Sequence, residues 1–312
     1  MQVNNVRKFP ELSWSLSRHK RFLECKRNYW YSYYGAFGGW QNESSNLTRH
    51  IYRLKTLQSI HMVFGSSVHN QIQRFTNNVR STRLPSETEI ISNIRSDLNK
   101  AYQDSRYRQR LWVENPGDYK MLMEIYYDND LPLDVIEEYQ TKLPLVAKNL
   151  ISSETVNDLF RRGDEIEVIA AERFRCIERN GIKIWVVMDL VFRDKLTGKY
   201  VIVDFKTGKS SANDVIQLVL YAWFIQQIFG IVSLDQIELR SEYLADGRTV
   251  TYTPSSFDLE KTEYLLNTSI EWMRSYLLDI DQNIPAEMDE FEQTTNQRTC
   301  QLCSFRELCG RV

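Results

Sequence analysis

The stretch VIVDFKTGK sets Asp204 and Lys206 two residues apart on a run that begins Val201, Ile202, Val203. With a two-residue period, both side chains leave one face of a strand. Alone, they read as an ion pair. Their apolar setting asks for more, because burying charge is costly unless it is paired or binds a cation. VVMDLVF places Asp189 in the middle of the preceding apolar run, another expensive position for a lone carboxylate. Two acids on neighbouring strands suit a shared divalent cation. Mg2+ or Mn2+ takes oxygen ligands in octahedral geometry and keeps several waters, so two carboxylates, a backbone carbonyl and one imidazole suffice. His69, in GSSVH, is available as that imidazole. Glu172, in AAERF, is a further acid, whose register against Asp189 the sequence leaves open. Gln217 and Tyr221 fall one helical turn apart on the segment that follows. A buried amide needs a partner, and the short loop KTGKSSAND returns Gln217 beside the acids.

A second cluster closes the chain. TCQLCSFRELCG carries Cys300-x2-Cys303-x5-Cys309. A tetrahedral metal or iron–sulfur site wants four thiolates, and the five cysteines leave Cys25 and Cys176 to choose from. Four thiolates suit zinc as well as iron and sulfide. No stretch is long and apolar enough to span a membrane, and the first residues lack the apolar core of a secretory signal. The reading is therefore a cytoplasmic protein, where thiols stay reduced and cysteine clusters bind metal. Cys176, on a predicted strand, reads as a small buried hydrophobe.

The elements that must position these residues follow from periodicity. Ser15 or Ser17 can cap a helix reaching about residue 34, with Cys25 near its middle. A helix over 66–79 would carry His69 in its first turn. Residues 86–160 read as helical segments broken at Pro116-Gly117 and Leu131-Pro132. From residue 165 the period changes to two. EIEVIAAERFRCI, KIWVVMDLVFRD and KYVIVDFKT form an antiparallel meander about the turns ERNG and KLTGK. A buried helix over 213–230, a hairpin over 236–253 and an amphipathic helix over 256–283 complete a mixed α/β fold.

Charge is unevenly spread around a net of -2. Residues 1–55 hold ten Lys and Arg against three acids, whereas 258–292 hold ten acids against Lys261 and Arg274. The basic segment suits a phosphate backbone. Tyr29, Trp30, Tyr31, Tyr33 and Tyr34 interleave with its cations, as base stacking by a single strand requires, although such aromatics also serve as core.

Taken together, GSSVH (65–69), Asp189, Asp204-Phe205-Lys206 and Gln217-x3-Tyr221 resemble the PD-(D/E)XK nuclease superfamily, in its RecB-like branch. The cysteines narrow the resemblance to the four-cysteine iron–sulfur members, such as the CRISPR-associated and AddB-type exonucleases. It covers 15–80 and 165–310 and leaves out the helical middle. It implies a restriction-endonuclease-like core with a mixed central sheet, flanking helices, a helical insertion and a terminal iron–sulfur clasp. It also implies a single nuclease domain over 1–312. Within it lie N-terminal helices (1–80), the insertion (83–160), the catalytic α/β core (165–255) and the C-terminal helix with its cysteine clasp (256–312).

The resemblance further implies that His69, Asp189, Asp204 and the Phe205 carbonyl hold Mg2+ or Mn2+, with Glu172 a lesser candidate. Lys206 would orient or deprotonate water, and Gln217 and Tyr221 would fix the strand or the lysine. Cys25, Cys300, Cys303 and Cys309 would hold a [4Fe-4S] cluster, with Zn2+ as the alternative. The expected activity is phosphodiester hydrolysis on DNA that is single-stranded or has free ends, in repair or defence. A helicase or recombination enzyme is the partner that analogy suggests. The competing expectations are an endonuclease with the same centre and a non-catalytic nucleic-acid-binding protein with a structural zinc.

Overall fold

The computed structural model describes residues 8–76, 79, 83–231 and 233–311, with backbone alone at 170–175, 212 and 213. Its centre is a six-stranded sheet of β1 (Ser13–Trp14), β2 (Ile166–Arg179), β3 (Ile182–Asp194), β4 (Tyr200–Lys206), β5 (Ile237–Tyr243) and β6 (Arg248–Tyr252). The meander forms as expected: β2 and β4 flank β3 antiparallel, with Leu190 opposite Val203. β5 runs parallel to β4 and β6 returns antiparallel, making the sheet mixed. β1 pairs parallel with the start of β3, at Lys183 and Ile184, short of β4's reach.

The helices are α1 (Leu16–Glu24), α2 (Lys26–Trp30), α3 (Asn46–Thr56), α4 (Ile60–Thr76), α5 (Glu87–Tyr107), α6 (Gln109–Glu114), α7 (Met123–Asp128), α8 (Leu133–Ser152), α9 (Glu154–Arg161), α10 (Ala212–Phe229), α11 (Ser256–Arg274) and α12 (Gln297–Gln301). Alternation along β4 divides two cores. Ile202 joins the apolar cluster of α10 and α11, whereas Val201, Val203 and Phe205 join that of α4, α5 and α8. α10 is apolar nearly all round because it is covered: Ala222 and Phe224 are fully buried and Ile225 almost so. Each large apolar side chain so buried is worth about 1.5–3 kcal/mol. Gly230 ends α10 in the left-handed region, at φ 61°, where glycine has no Cβ to strain.

Four expectations are corrected. The first helix breaks at Cys25, whose extended backbone (φ -163°) ends α1 and whose thiol accepts from Asn28 N at 3.5 Å to cap α2. A wide helical turn over 31–35 follows. His69 lies deep inside α4, because Ser59 starts that helix upstream, its hydroxyl accepting from Met62 N at 3.3 Å. α11 stops at Arg274, where a small hairpin of β7 (Leu277–Asp279) and β8 (Ile284–Pro285) takes over. Asn283 turns that hairpin at φ 53° and is held by Tyr34 and by the Pro10 carbonyl. Cys176 is exposed rather than buried, lying on β2 at the sheet edge.

Candidate active site

β3 and β4 bring the two acids together. One position beyond the Leu190–Val203 pair, Asp189 and Asp204 face one another across the strands. Asp189 Oδ2 accepts the Phe205 backbone N–H at 2.7 Å, which fixes the carboxylate against β4. Asp189 Oδ1 stands 3.3 Å from His69 Nδ1, so α4 delivers its imidazole from the middle of the helix. Lys206 Nζ lies 2.8 Å from Asp204 Oδ2 and donates to Gln217 Oε1 at 3.1 Å. The Gln217 amide Nε2 in turn donates to Asp204 Oδ1 at 3.0 Å and to Tyr221 Oη at 2.6 Å. One amide thus holds both the acid and the lysine, and its orientation is set by the partners on each side. Glu172 lies on β2 between residues paired with Leu190 and Met188, and its side chain is outside the described residues.

Asp204 is 1% exposed. Its Oδ2, though close to the ammonium, has no partner in hydrogen-bonding geometry. Burial pushes the Asp204 carboxyl up to about 7, with the charge of Asp189 adding to the effect and Lys206 and His69 opposing it. Burial works against the Lys206 ammonium too, but Asp204, Asp214 and Asp189 outweigh it and its pKa ends above the ordinary value. Two buried carboxylates on adjacent strands, with the His69 imidazole beside one and a single ammonium beside the other, fit a divalent cation at the cleft floor. No group of three or more His, Cys, Asp or Glu among the described residues stands close enough to define a complete site.

A cleft of about 760 Å3 opens over these groups and is lined also by Arg18, Lys20, Tyr33 and Trp185. Sequence reading missed Lys20 and Asp214. Asp214 closes a capping box on Ser211 and accepts from Tyr243 at 3.1 Å, while its other oxygen lies 3.9 Å from Lys206. The signal for it was the run of polar residues before α10. For Lys20 there was none, because only the packing of α1 onto the sheet brings it in. Of the five N-terminal aromatics, Tyr29, Tyr31 and Tyr34 are core.

The pattern of one nuclease superfamily, PD-(D/E)XK, matches residues 13–310. The chain belongs to the PD-(D/E)XK nuclease superfamily. The match spans the helical middle that the motif resemblance left out. No curated protein matches the chain. Among solved structures, the crystal structure of SSO0001 is similar at 16% identity and a TM-score of 0.29, over 80% of this chain and 98% of that one. PD-(D/E)XK enzymes are metal-dependent phosphodiester hydrolases that generally use Mg2+ or Mn2+. No helix of the described residues is long and apolar enough to cross a membrane.

Away from the cleft, Cys25, Cys300, Cys303 and Cys309 line one small cavity of about 20 Å3. Cys303 Sγ accepts from Asn28 Nδ2 at 3.2 Å and from Phe305 N at 3.4 Å. Burial raises the Cys303 thiol to about 11 and lifts Cys309 as well, with the neighbouring thiols adding to both. The four cysteines share this cavity and two of their sulfurs accept N–H groups, which favour the thiolate form, but among the described residues no three of them stand close enough together to hold a metal ion.

The Asp204 carboxyl carries a pH prediction for the cation-free protein. Its folded-state pKa exceeds the unfolded value near 4, so the stability it contributes is fully present below that value and is lost as pH rises through about 7. The gap between the two values sets a ceiling on the order of a few kcal/mol. In EDTA, wild type should therefore lose several degrees of melting temperature relative to Asp204→Asn between pH 5 and pH 8. Thermal unfolding of both proteins across that range checks it, and a constant difference would count against the buried acid pair.

Proposed function

We propose that this chain is a metal-dependent deoxyribonuclease that prefers single-stranded DNA and digests it from free ends. The observation that carries this reading is the Asp189–Asp204–Lys206 cluster, locked by Gln217 at the floor of a cleft walled by cations and aromatics. Asp189, Asp204, His69 and the Phe205 carbonyl would hold the cation, with Glu172 a reserve acid. A bound Mg2+ or Mn2+ supplies a water of lowered pKa and offsets charge on the phosphate. Lys206, whose ammonium form the neighbouring acids favour, would orient that water by donating to it and face the charge that develops on the phosphate oxygens. Gln217, tied to Tyr221, keeps Lys206 and Asp204 in register. Tyr33 and Trp185 line the cleft, and aromatic side chains there suit stacking with unpaired bases, which supports a single-strand preference.

The same reading assigns the four convergent thiols to a [4Fe-4S] cluster, with Zn2+ as the alternative metal. Such a centre would be structural, since it lies apart from the cleft. End-labelled linear and circular single-stranded DNA, each incubated with and without Mn2+, test the activity. Loss of label from linear strands with circles left intact is the expected result. Cut circles would replace the reading with an endonuclease, and no cutting of either would leave a binding protein.

A further inference from the structure

The N-terminal helices bring more positive charge to the cleft than the two-acid centre uses. Tyr33 lies in the cleft wall, and the Arg18 guanidinium stacks over its ring at 4.2 Å. Lys55, from α3, and Arg21 stand 5.8 and 5.9 Å from the same ring. Arg18 is 3% exposed, yet its oxygen partners are all neutral. Nε and Nη2 donate to Tyr29 Oη at 3.2 and 3.0 Å, and Nη1 donates to Ser13 Oγ at 3.2 Å. Elsewhere this chain neutralises its buried arginines with acids. Arg240 pairs with Glu154, Asp158 and Glu238, and Arg27 pairs with Asp289.

Among the described residues, Arg18, Arg21 and Lys55 form no ion pair with a carboxylate. Three cations around one ring repel one another. Although solvent reaches Lys55, desolvation first, and then Arg21 and Arg18, hold its ammonium below the ordinary value. A buried cation without a counter-charge is expensive, and Arg18, with the less buried Arg21 and the exposed Lys55 about the same ring, leaves unneutralised positive charge at the cleft wall that suits an anion.

We propose that Arg18, Arg21 and Lys55 form a phosphate-binding subsite around Tyr33, which holds a phosphate of the nucleic-acid strand beside the reaction centre rather than at it. This rests on the nuclease reading above. Arg18 is the preorganised member, fixed by Tyr29 and Ser13, and Arg21 and Lys55 close on the anion from either helix. The phosphate positions the strand, and the Tyr33 ring lies next to it as a stacking face for a neighbouring base.

The test uses the full chain in EDTA and follows binding of a fluorescein-labelled single-stranded oligonucleotide by anisotropy at several salt concentrations. Arg21→Ala/Lys55→Ala leaves the buried Arg18 in place. It should weaken binding roughly tenfold or more and flatten the slope of log affinity against log salt by about 1.4, two contacts at about 0.7 each. Mn2+-dependent hydrolysis of bis(p-nitrophenyl) phosphate, too small to span both sites, should stay at the wild-type rate. Strands with a 5′-phosphate, a 3′-phosphate or neither, and a circle, locate the anion. Loss confined to a phosphorylated end assigns a terminal phosphate, and equal loss on all four assigns an internal one. Unchanged affinity and slope overturn the subsite, as does an equal fall in hydrolysis of the small diester. Should wild type hydrolyse neither substrate while binding still weakens as expected, the nuclease reading fails and the subsite stands.

Discussion

Asp204→Ala and Lys206→Ala are each expected to cut Mn2+-dependent DNA hydrolysis by roughly 10²–10⁴-fold, the range over which single charged or proton-transferring groups act. Asp204 is the more deeply buried of the two acids, and its removal takes away half of the carboxylate pair. Lys206 touches both Asp204 and Gln217, so its loss also frees the amide that registers them. Both side chains sit at the cleft floor rather than in the apolar cores. The variants should therefore keep their circular dichroism, and their metal content at the cysteines should match that of wild type. Lys206→Arg is a sharper probe, since it keeps charge but replaces a compact ammonium with a planar fork. Full metal-dependent activity in both alanine variants would remove the site from consideration.

The second large effect concerns the thiols. Cys25→Ser should lower the melting temperature by roughly 5–10 °C, from a few kcal/mol lost when a long loop is no longer closed. Oligonucleotide affinity should fall with it, because α1 ends at Cys25 and carries Arg18 and Lys20 to the cleft. Metal content and colour are measured together. A brown wild-type protein with visible absorption assigns iron and sulfide, and a colourless one with bound metal assigns zinc. A Cys25→Ser protein of normal stability and affinity would show that the four sulfurs converge without closing anything.

Much of the fold is legible in the sequence because strands advertise themselves by a period of two. The β2–β4 meander, the Asp204/Lys206 alternation and α10 with its terminal Gly230 all rest on local patterns. Gln217 and Tyr221 are legible as a pair one turn apart on the helix returning past the acids, whereas His69 is foreshadowed only as a residue type, since its place along α4 comes from packing. GSSVH looks like a helix start, and that places His69 in a first turn, while the effective start at Ser59 precedes an apolar run that reads equally as core. The break at Cys25 has no local signal at all. An amphipathic pattern continues through it, and the extended residue is explained by its thiol accepting from Asn28 N to cap α2, a role in which cysteine gives no warning from sequence. The end of α11 is hidden for a similar reason, as Asn283 takes the positive φ of the following hairpin where a glycine would have announced it.

That break gives α1 a further property. Four residues lie between Lys20 and Cys25, and at 3.6 residues per turn each inserted or deleted residue rotates one end against the other by about 100°. With Cys25 fixed as the cap of α2, the angular setting of Lys20 and Arg18 over the cleft is a matter of counting. Length changes in this helix are thus tolerable only in steps close to a full turn, and the segment serves as a vernier between the two ends of the chain.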